Sequence, residues 1–250
     1  MKQRAEKLMK CLSVILPAFN EEDNIEPIVA ELAEVLPELL RRTERIEVVF
    51  VDDGSTDGTR LKMLESKKRY PELNIRVIAL NRNWGLTAAM DAGFRHGAGD
   101  VVATLDTDLQ NDPSDLPKLL DRLVDADAAI GIRVDRRDTR VKRLSSKIAN
   151  AIRNRATNEN ILDTGCSLKV YRREFIERIK LFTGLHRFLP TLLKMEGARV
   201  VQVPVNHRPR IHGSSKYRLF NRLIGPLMDL FAVRWMQKRH LGYTSKEIDK

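Results

Sequence analysis

Cysteine is nearly missing from these 250 residues: only Cys11 and Cys166 occur, at a separation that suits neither a metal-ligand pair nor a disulfide framework. That excludes a disulfide-stapled scaffold and makes a reducing, cytoplasmic setting the default reading. Long apolar runs are missing too. No window reaches the ~18–20 uninterrupted apolar residues that a membrane span requires. The nearest, "LIGPLMDLFAVRWM" from Leu223 to Met236, is broken by Asp229 and Arg234. The N-terminal MKQRAEKLMK is basic but leads only into a short strand-like run, so no secretory signal is expected. Internal repeats, low-complexity tracts and a convincing linker are all lacking. The expected organisation is one domain over residues 1–215 with an appendage over 216–250.

Negative charge is also in short supply. Lys and Arg number 44 against 34 Asp and Glu, a net charge of +10, which points to an anionic partner such as nucleic acid, a phosphorylated substrate or an anionic membrane surface. The hydrophobic fraction of 42% is ordinary for a folded protein with a sizeable core.

What is present has a clear rhythm. "CLSVILPAFN" reads as a buried strand followed by the acidic turn Asn20-Glu21-Glu22-Asp23, and "IEPIVAELAEVLPELLRR" has helical periodicity with Asp23 or Asn24 as its N-cap. "RIEVVFVDDGSTDGT" repeats the pattern, and "NIRVIAL", "DVVATLDTDLQND" and "AAIGIRV" supply further strands. The helical stretches "TRLKMLESKKRY", "GLTAAMDAGFRHG" and "DLPKLLDRLVDA" lie between them. Such alternation argues for an α/β domain, a mostly parallel sheet with helices on both faces. In such sheets ligands bind beyond the carboxyl ends of the strands. Each acidic cluster sits at a strand end, so all three are expected to converge on one crevice.

Asp106 and Asp108 stand two apart just past a strand, where a turn could aim both at one point. Hard oxygen ligands suit Mg²⁺ or Mn²⁺ held jointly with substrate phosphates, and Gln110 adds a neutral carbonyl at the same step. The plainer alternative is helix capping. For Asp112, followed by Pro113, capping is the better reading. "VDDGSTDG" has a similar ambiguity, between turn chemistry and a carboxylate that accepts hydrogen bonds from a nucleoside.

The segments "LSVILPAFNEEDNI", "EVVFVDDGSTDGT", "LNRNWGLTAAMDAG" and "DVVATLDTDLQNDP", in this order and spacing, resemble family 2 glycosyltransferases of the GT-A, Rossmann-like fold, over roughly residues 12 to 220. "TDLQNDP", the basic stretch after Arg133 and "HGSSK" look like the polyprenyl-phosphate subgroup of that family. The resemblance implies inverting, metal-dependent transfer from a GDP- or UDP-sugar to a dolichyl or undecaprenyl phosphate. It places Pro17, Phe19, Glu21, Val51 and Asp53 around the nucleoside, with Phe19 standing where Tyr is common. It sets Asp106-Thr107-Asp108, as the DXD motif, against the diphosphate and metal, with Gln110 as a third ligand. Arg210 and Lys216 would bind donor phosphates from a closing loop, for which "RPRIHGSSK" supplies cations and a Gly-Ser-Ser hinge. A solvated basic loop is the plainer reading.

By the same resemblance Arg133, Arg143 and Ser146 would grip the acceptor phosphate, with Lys142 as the substitute for Arg143. The basic stretch contains no aromatic platform, which argues against single-stranded nucleic acid and for a lipid phosphate at an anionic membrane surface. A phosphate acceptor arrives ionised, so no general base is required. Asp163 is the spare carboxylate if one exists, although "DTG" reads equally as a turn. The tail from Lys216 reads as an amphipathic helix, broken near Gly225-Pro226, that lies at the membrane interface or packs on the domain or a second subunit. Family members often continue into membrane-spanning helices where this sequence reaches Lys250. A membrane-anchored partner or a homo-oligomer is therefore one route to anchoring, with the protein peripheral on the cytoplasmic face. Two other readings stay open: a family 2 enzyme acting on a sugar or small-molecule hydroxyl, and a non-enzymatic basic nucleotide-binding module.

Overall fold

The computed structural model describes residues 9–134, 140–209 and 224–243, with the side chains of residues 140–147, 224 and 226 outside that description. The strands are β1 (Met9–Ala18), β2 (Thr43–Asp52), β3 (Ile75–Ala79), β4 (Val101–Thr104), β5 (Ala128–Arg133), β6 (Lys169–Arg172) and β7 (Val200–Val205). They form one sheet in the order β3-β2-β1-β4-β6-β5-β7. Pairing is parallel except along β6, which runs against both β4 and β5. The helices are α1 (Glu22–Leu40), α2 (Thr59–Arg69), α3 (Leu86–His96), α4 (Leu116–Asp121), α5 (Arg140–Thr157), α6 (Arg173–Ile176), α7 (Leu189–Met195) and α8 (Ile224–Arg239).

Near-continuous apolar runs such as Val48-Val49-Phe50-Val51 form strands because both faces of the sheet are covered. One face packs Leu12, Val14, Leu16 and Phe50 against Ile25, Ile28 and Leu32 of α1. The other packs Ile15, Val49 and Val51 against Ala89, Met90 and Phe94 of α3. Gly93 makes that second contact possible, since a Cβ there would stand 2.2 Å from Ile15 Cγ2.

One local expectation differs from what is observed. The N-cap residue of α1 is Glu21, two residues before Asp23 and three before Asn24; it makes no side-chain cap bond, and the Asn24 side-chain amide donates to Glu21 Oε2 at 2.6 Å. Gly225 and Pro226 stand in the first turn of α8, where the absent proline N–H breaks no intrahelical bond, and the segment before them, in which a helix broken at this point is expected, lies outside the described residues. Leu230 and Val233 of α8 pack against Leu185, Phe188 and Leu192, while Leu227, Met228, Phe231 and Trp235 stay exposed. The helix therefore carries apolar side chains on both its docked and its exposed sides.

Candidate active site

The strand order reverses direction at β1: the chain winds out through β2 and β3 and then returns to place β4 on the other side of β1. That reversal opens a crevice between the carboxyl ends of β1 and β4, the usual ligand position in a doubly wound sheet. Pro17 ends one wall, and Asp106 and Thr107 begin the other, with the Thr107 hydroxyl donating to the Pro17 carbonyl at 3.2 Å.

Three loops are knitted together at this end. Asn20, at φ 53°, accepts from the Thr56 amide at 2.8 Å, and its own N–H donates to Ser55 Oγ at 3.0 Å. The Glu21 N–H donates to Thr59 Oγ1 at 2.7 Å. Asp53 reaches the third loop, accepting from the Trp84 and Gly85 amides at 2.7 and 2.8 Å. Gly54, at φ +73°, allows that approach, because a Cβ would stand 2.5 Å from the Arg82 carbonyl carbon.

The adjacent carboxylates are pushed in opposite directions. Burial, reinforced by repulsion from Asp52, raises the Asp53 carboxyl despite its two amide donors. Burial also acts on Asp52, but Ser55 and Arg60 outweigh it and hold that carboxyl below its usual range. Asp52 is thus a structural anchor, with Arg60 Nε at 2.6 Å. Phe19 and Glu21 are partly exposed along this wall, whereas the Val51 side chain is fully buried against α3, so at that position only backbone faces the crevice.

The metal-binding candidates separate into distinct environments. Asp106 lines a cavity of about 450 Å³ together with Pro17, Arg133, Asp163, Lys169 and His186. Asp108 is largely buried and accepts from the Gln110 N–H at 3.1 Å, across a turn in which Leu109 takes φ 60°. The Gln110 side chain donates to the Arg208 carbonyl at 3.4 Å. Asp112 accepts from the Ser114 amide at 3.0 Å, the expected cap, although the helical turn it opens is 3₁₀ (Pro113–Asp115). It also holds Arg208 Nη2 at 2.7 Å. Burial would raise Asp112, but Ser114 and Arg208 together bring it below the usual carboxylate range.

Among the described residues no group of three or more His, Cys, Asp or Glu side chains could hold a metal ion unaided. A pair of carboxylates completed by substrate phosphates would fit the coordination habit of Mg²⁺ and Mn²⁺.

Arg133 ends β5 at the same edge, and Asp163 meets it in a bidentate pair, Nε–Oδ2 at 2.7 Å and Nη2–Oδ1 at 2.8 Å. The Gly165 amide also donates to Asp163 at 3.1 Å. Asp163 is therefore placed to orient Arg133. Lys142, Arg143 and Ser146 stand in the first half of α5, but their side chains lie outside the described residues, as do Arg210 and Lys216 entirely. The chain just before Arg210 is fastened to the acidic loop, with the Arg208 N–H donating to the Gln110 carbonyl at 2.8 Å and Asn111 bridging to His207.

Sequence reasoning missed Lys169, His186 and Arg187, all of which line the cavity. Burial pushes His186 down to about 3, so its ring is neutral at physiological pH. The Thr87 hydroxyl accepts from the Gly184 amide at 3.0 Å and shares a hydrogen bond with His186 Nδ1 at 2.7 Å. An unfolded histidine takes up a proton below ~6.5, whereas the folded one resists until about 3. Stability therefore falls as pH drops through that window. His186→Gln is expected to flatten the pH dependence of urea-unfolding free energy between the two values, and an unchanged slope would contradict the assignment.

The sequence matches the glycosyl transferase family 2 model over residues 13–180, more than half of the chain. The chain belongs to glycosyl transferase family 2. It is 36% identical over 232 residues to a dodecaprenyl-phosphate galacturonate synthase of Rhizobium johnstonii, with 91% of this chain and 67% of that protein covered. It is likewise 36% identical over 233 residues to an undecaprenyl-phosphate 4-deoxy-4-formamido-L-arabinose transferase of Edwardsiella ictaluri, covering 90% and 68% respectively.

Among solved structures, glucosyl-3-phosphoglycerate synthase of Mycobacterium tuberculosis, crystallised with Mn²⁺, UDP and phosphoglyceric acid, superimposes with a TM-score of 0.65 at 20% identity, over 91% of this chain and 78% of that one. A mannosyltransferase of Pyrobaculum calidifontis in complex with GDP-mannose and Mn²⁺ gives 0.61 at 18%, over 96% and 67%. The expected GT-A glycosyltransferase fold is the fold present. Among the described residues no helix is long and apolar enough to cross a membrane.

Proposed function

We propose that this chain transfers a sugar, with inversion, from a nucleotide-sugar to a polyprenyl phosphate. The observation that carries the reading is the meeting of Asp106, at the end of β4, with the Arg133–Asp163 pair, at the end of β5, on the wall of one cavity at the strand-order reversal. The relatives named for dodecaprenyl- and undecaprenyl-phosphate transfer support the acceptor class.

In this reading Pro17, Phe19, Glu21 and Asp53 form the nucleoside side, and Val51 contributes backbone. Asp106 and Asp108, with Thr107 beside them and Gln110 as an additional oxygen, would hold Mg²⁺ or Mn²⁺ against the diphosphate. When bound, that ion offsets charge on the leaving diphosphate. Arg210 and Lys216 would cover the donor from a loop whose root is fastened at Arg208. An acceptor-phosphate oxygen attacks the anomeric carbon as the bond from that carbon to the diphosphate oxygen breaks, and the nucleoside diphosphate departs. The acceptor needs no protein base, since its second pKa is ~6. Arg133, aligned by Asp163, positions it, and Arg143 and Ser146 (or Lys142) extend that grip along α5. Arg143, Ser146 and Asn150 share one helical face by their spacing, and Asn150 lines the cavity.

The exposed Leu227, Met228, Phe231 and Trp235 of α8 support contact with an anionic membrane surface on the cytoplasmic side, where the lipid acceptor would be met. A membrane-anchored partner or a second copy is a further route to anchoring.

One experiment tests both halves. UDP- and GDP-sugars labelled in the sugar are supplied with Mn²⁺ and anionic vesicles that contain undecaprenyl phosphate. Label passing into the solvent-extractable lipid, with protein floating on the vesicles, is the expected result. Label appearing only in a water-soluble product would favour a hydroxyl acceptor. Nucleotide binding without any transfer would identify a binding module, and protein remaining in solution would refute the membrane contact.

A further inference from the structure

Lys169 has no task in that scheme, yet it sits in the middle of the site. It opens β6 directly opposite Thr104, the last residue of β4, and lines the same cavity as Asp106 and Asp163. The residue is 4% exposed, and Asp106 and Asp163 act on it electrostatically without a direct side-chain hydrogen bond or ion pair among the described residues. Burying an ammonium without a partner is costly, and such a group persists where a ligand completes it.

The neighbouring acids do not fill that role. Asp163 is already matched by Arg133 through two hydrogen bonds, and Asp106 faces the metal and diphosphate in the reading above. A second cation, Arg187, lines the cavity, with the Asp229 carboxylate near enough to interact with it electrostatically. Between them His186 presents a neutral ring, and Leu86 and Met90 add apolar wall. The cavity of about 450 Å³ is of small-ligand size. Hydroxyl groups of a neutral hexose would bring no negative charge into direct contact with either cation.

We propose that Lys169, with Arg187, binds a carboxylate carried by the transferred sugar, so that the donor is a nucleotide-linked uronic acid. The inference rests on the glycosyltransferase reading above and specifies its donor. A lipid-linked phosphate is the less suitable occupant, because Lys169 is deeply buried and the acceptor phosphate is already assigned to Arg133. Burial lowers the lysine pKa while Asp106 and Asp163 raise it, so an arriving carboxylate would favour the charged form further.

Matched donors provide the test: UDP-galacturonate against UDP-galactose, UDP-glucuronate against UDP-glucose, and GDP-mannuronate against GDP-mannose. Each pair differs only in a carboxylate or hydroxymethyl group. Dissociation constants are measured calorimetrically on the full chain with Mn²⁺. At least one uronate is expected to bind about tenfold or more tightly than its hexose, the scale of a desolvated charge pair. That ratio should collapse towards one in Lys169→Met and fall in Arg187→Gln, the second variant covering any folding defect in the first.

Equal affinity for both members of every pair, or a full preference retained in Lys169→Met, would overturn the proposal. If Lys169 serves the acceptor phosphate instead, Lys169→Met raises the lipid KM and the wild-type donor ratio is one, which also overturns it. A uronate preference without transfer to polyprenyl phosphate would refute the acceptor assignment and sustain this inference. Transfer of a neutral sugar without uronate preference would do the reverse.

Discussion

Asp106→Asn is expected to reduce sugar transfer by a factor on the order of 10²–10³, the usual scale for losing one group that stabilises developing charge in a water-poor site. The substitution keeps shape and removes charge. Asp106 lines the cavity wall immediately beyond β4, where a leaving diphosphate would gather its negative charge. The loss should appear in kcat and in Mn²⁺ affinity measured with UDP present, while the thermal midpoint changes little. Asp112→Asn should behave differently. That residue caps a 3₁₀ turn and pairs with Arg208, so its replacement should cost about 1 kcal/mol of stability, as caps do. Equal kinetic losses at both positions would show that the acidic loop acts as an undivided charge cluster and would sink the assignment of distinct roles.

The second large effect concerns Arg133. Its pair with Asp163 is poorly exposed, 15% for one side chain and 5% for the other, so solvent screens it little. Asp163→Asn, which removes the charge of its bidentate partner from a poorly exposed guanidinium, is expected to cost roughly 3–5 kcal/mol in urea unfolding. Gly165→Ala approaches the same pair by steric means. A Cβ at that position would lie 2.7 Å from Arg133 Nη2 and 3.6 Å from Asp163 Oδ1, so the guanidinium must move. The expected signature is a raised KM for the lipid acceptor with donor affinity retained. A base role for Asp163 predicts the opposite pattern, with kcat abolished in Asp163→Asn at unchanged stability and near-normal kinetics in Gly165→Ala. The two variants together distinguish the roles.

The features that sequence reasoning recovered were those encoded within short stretches. Apolar runs ending in acids located β1, β2 and β4 and their carboxyl ends, and Asp-Pro marked the cap at Asp112 because its partner, Ser114, is two residues away. Lys169 was hidden for the opposite reason. A lysine between Leu168 and Val170 carries no local sign of where it points, and it lines the cavity only because β6 is inserted antiparallel between β4 and β5. His186 and Arg187 approach the cavity through the pairing of His186 with Thr87, 99 positions away in the chain, which no local pattern records. Asp53 shows a partial case: its place at a strand end was legible, but its bonds to the Trp84 and Gly85 amides depend on how the next loop folds back. The tail helix reads as amphipathic, at the membrane interface or packed on the domain or a second subunit, and Leu230 and Val233 dock on residues 185–192 while other apolar side chains stay exposed.

The reversed direction of β6 divides the crevice into two constructions. On one side the chain leaves β1, β2 and β3, and its loops are tied to one another through Asn20, Asp53 and Thr59. On the other the chain enters the sheet at Lys169, arriving through Asp163 and Gly165, and joins Arg133, α5 and residues 186–187. The two groups meet at Thr87, where the first turn of α3 holds His186 and the Gly184 amide just beyond the Trp84 and Gly85 amides that fasten Asp53. A change at 186 would therefore reach the 84–85 loop through one contact, whereas Lys169 enters on the far strand and leaves that contact in place.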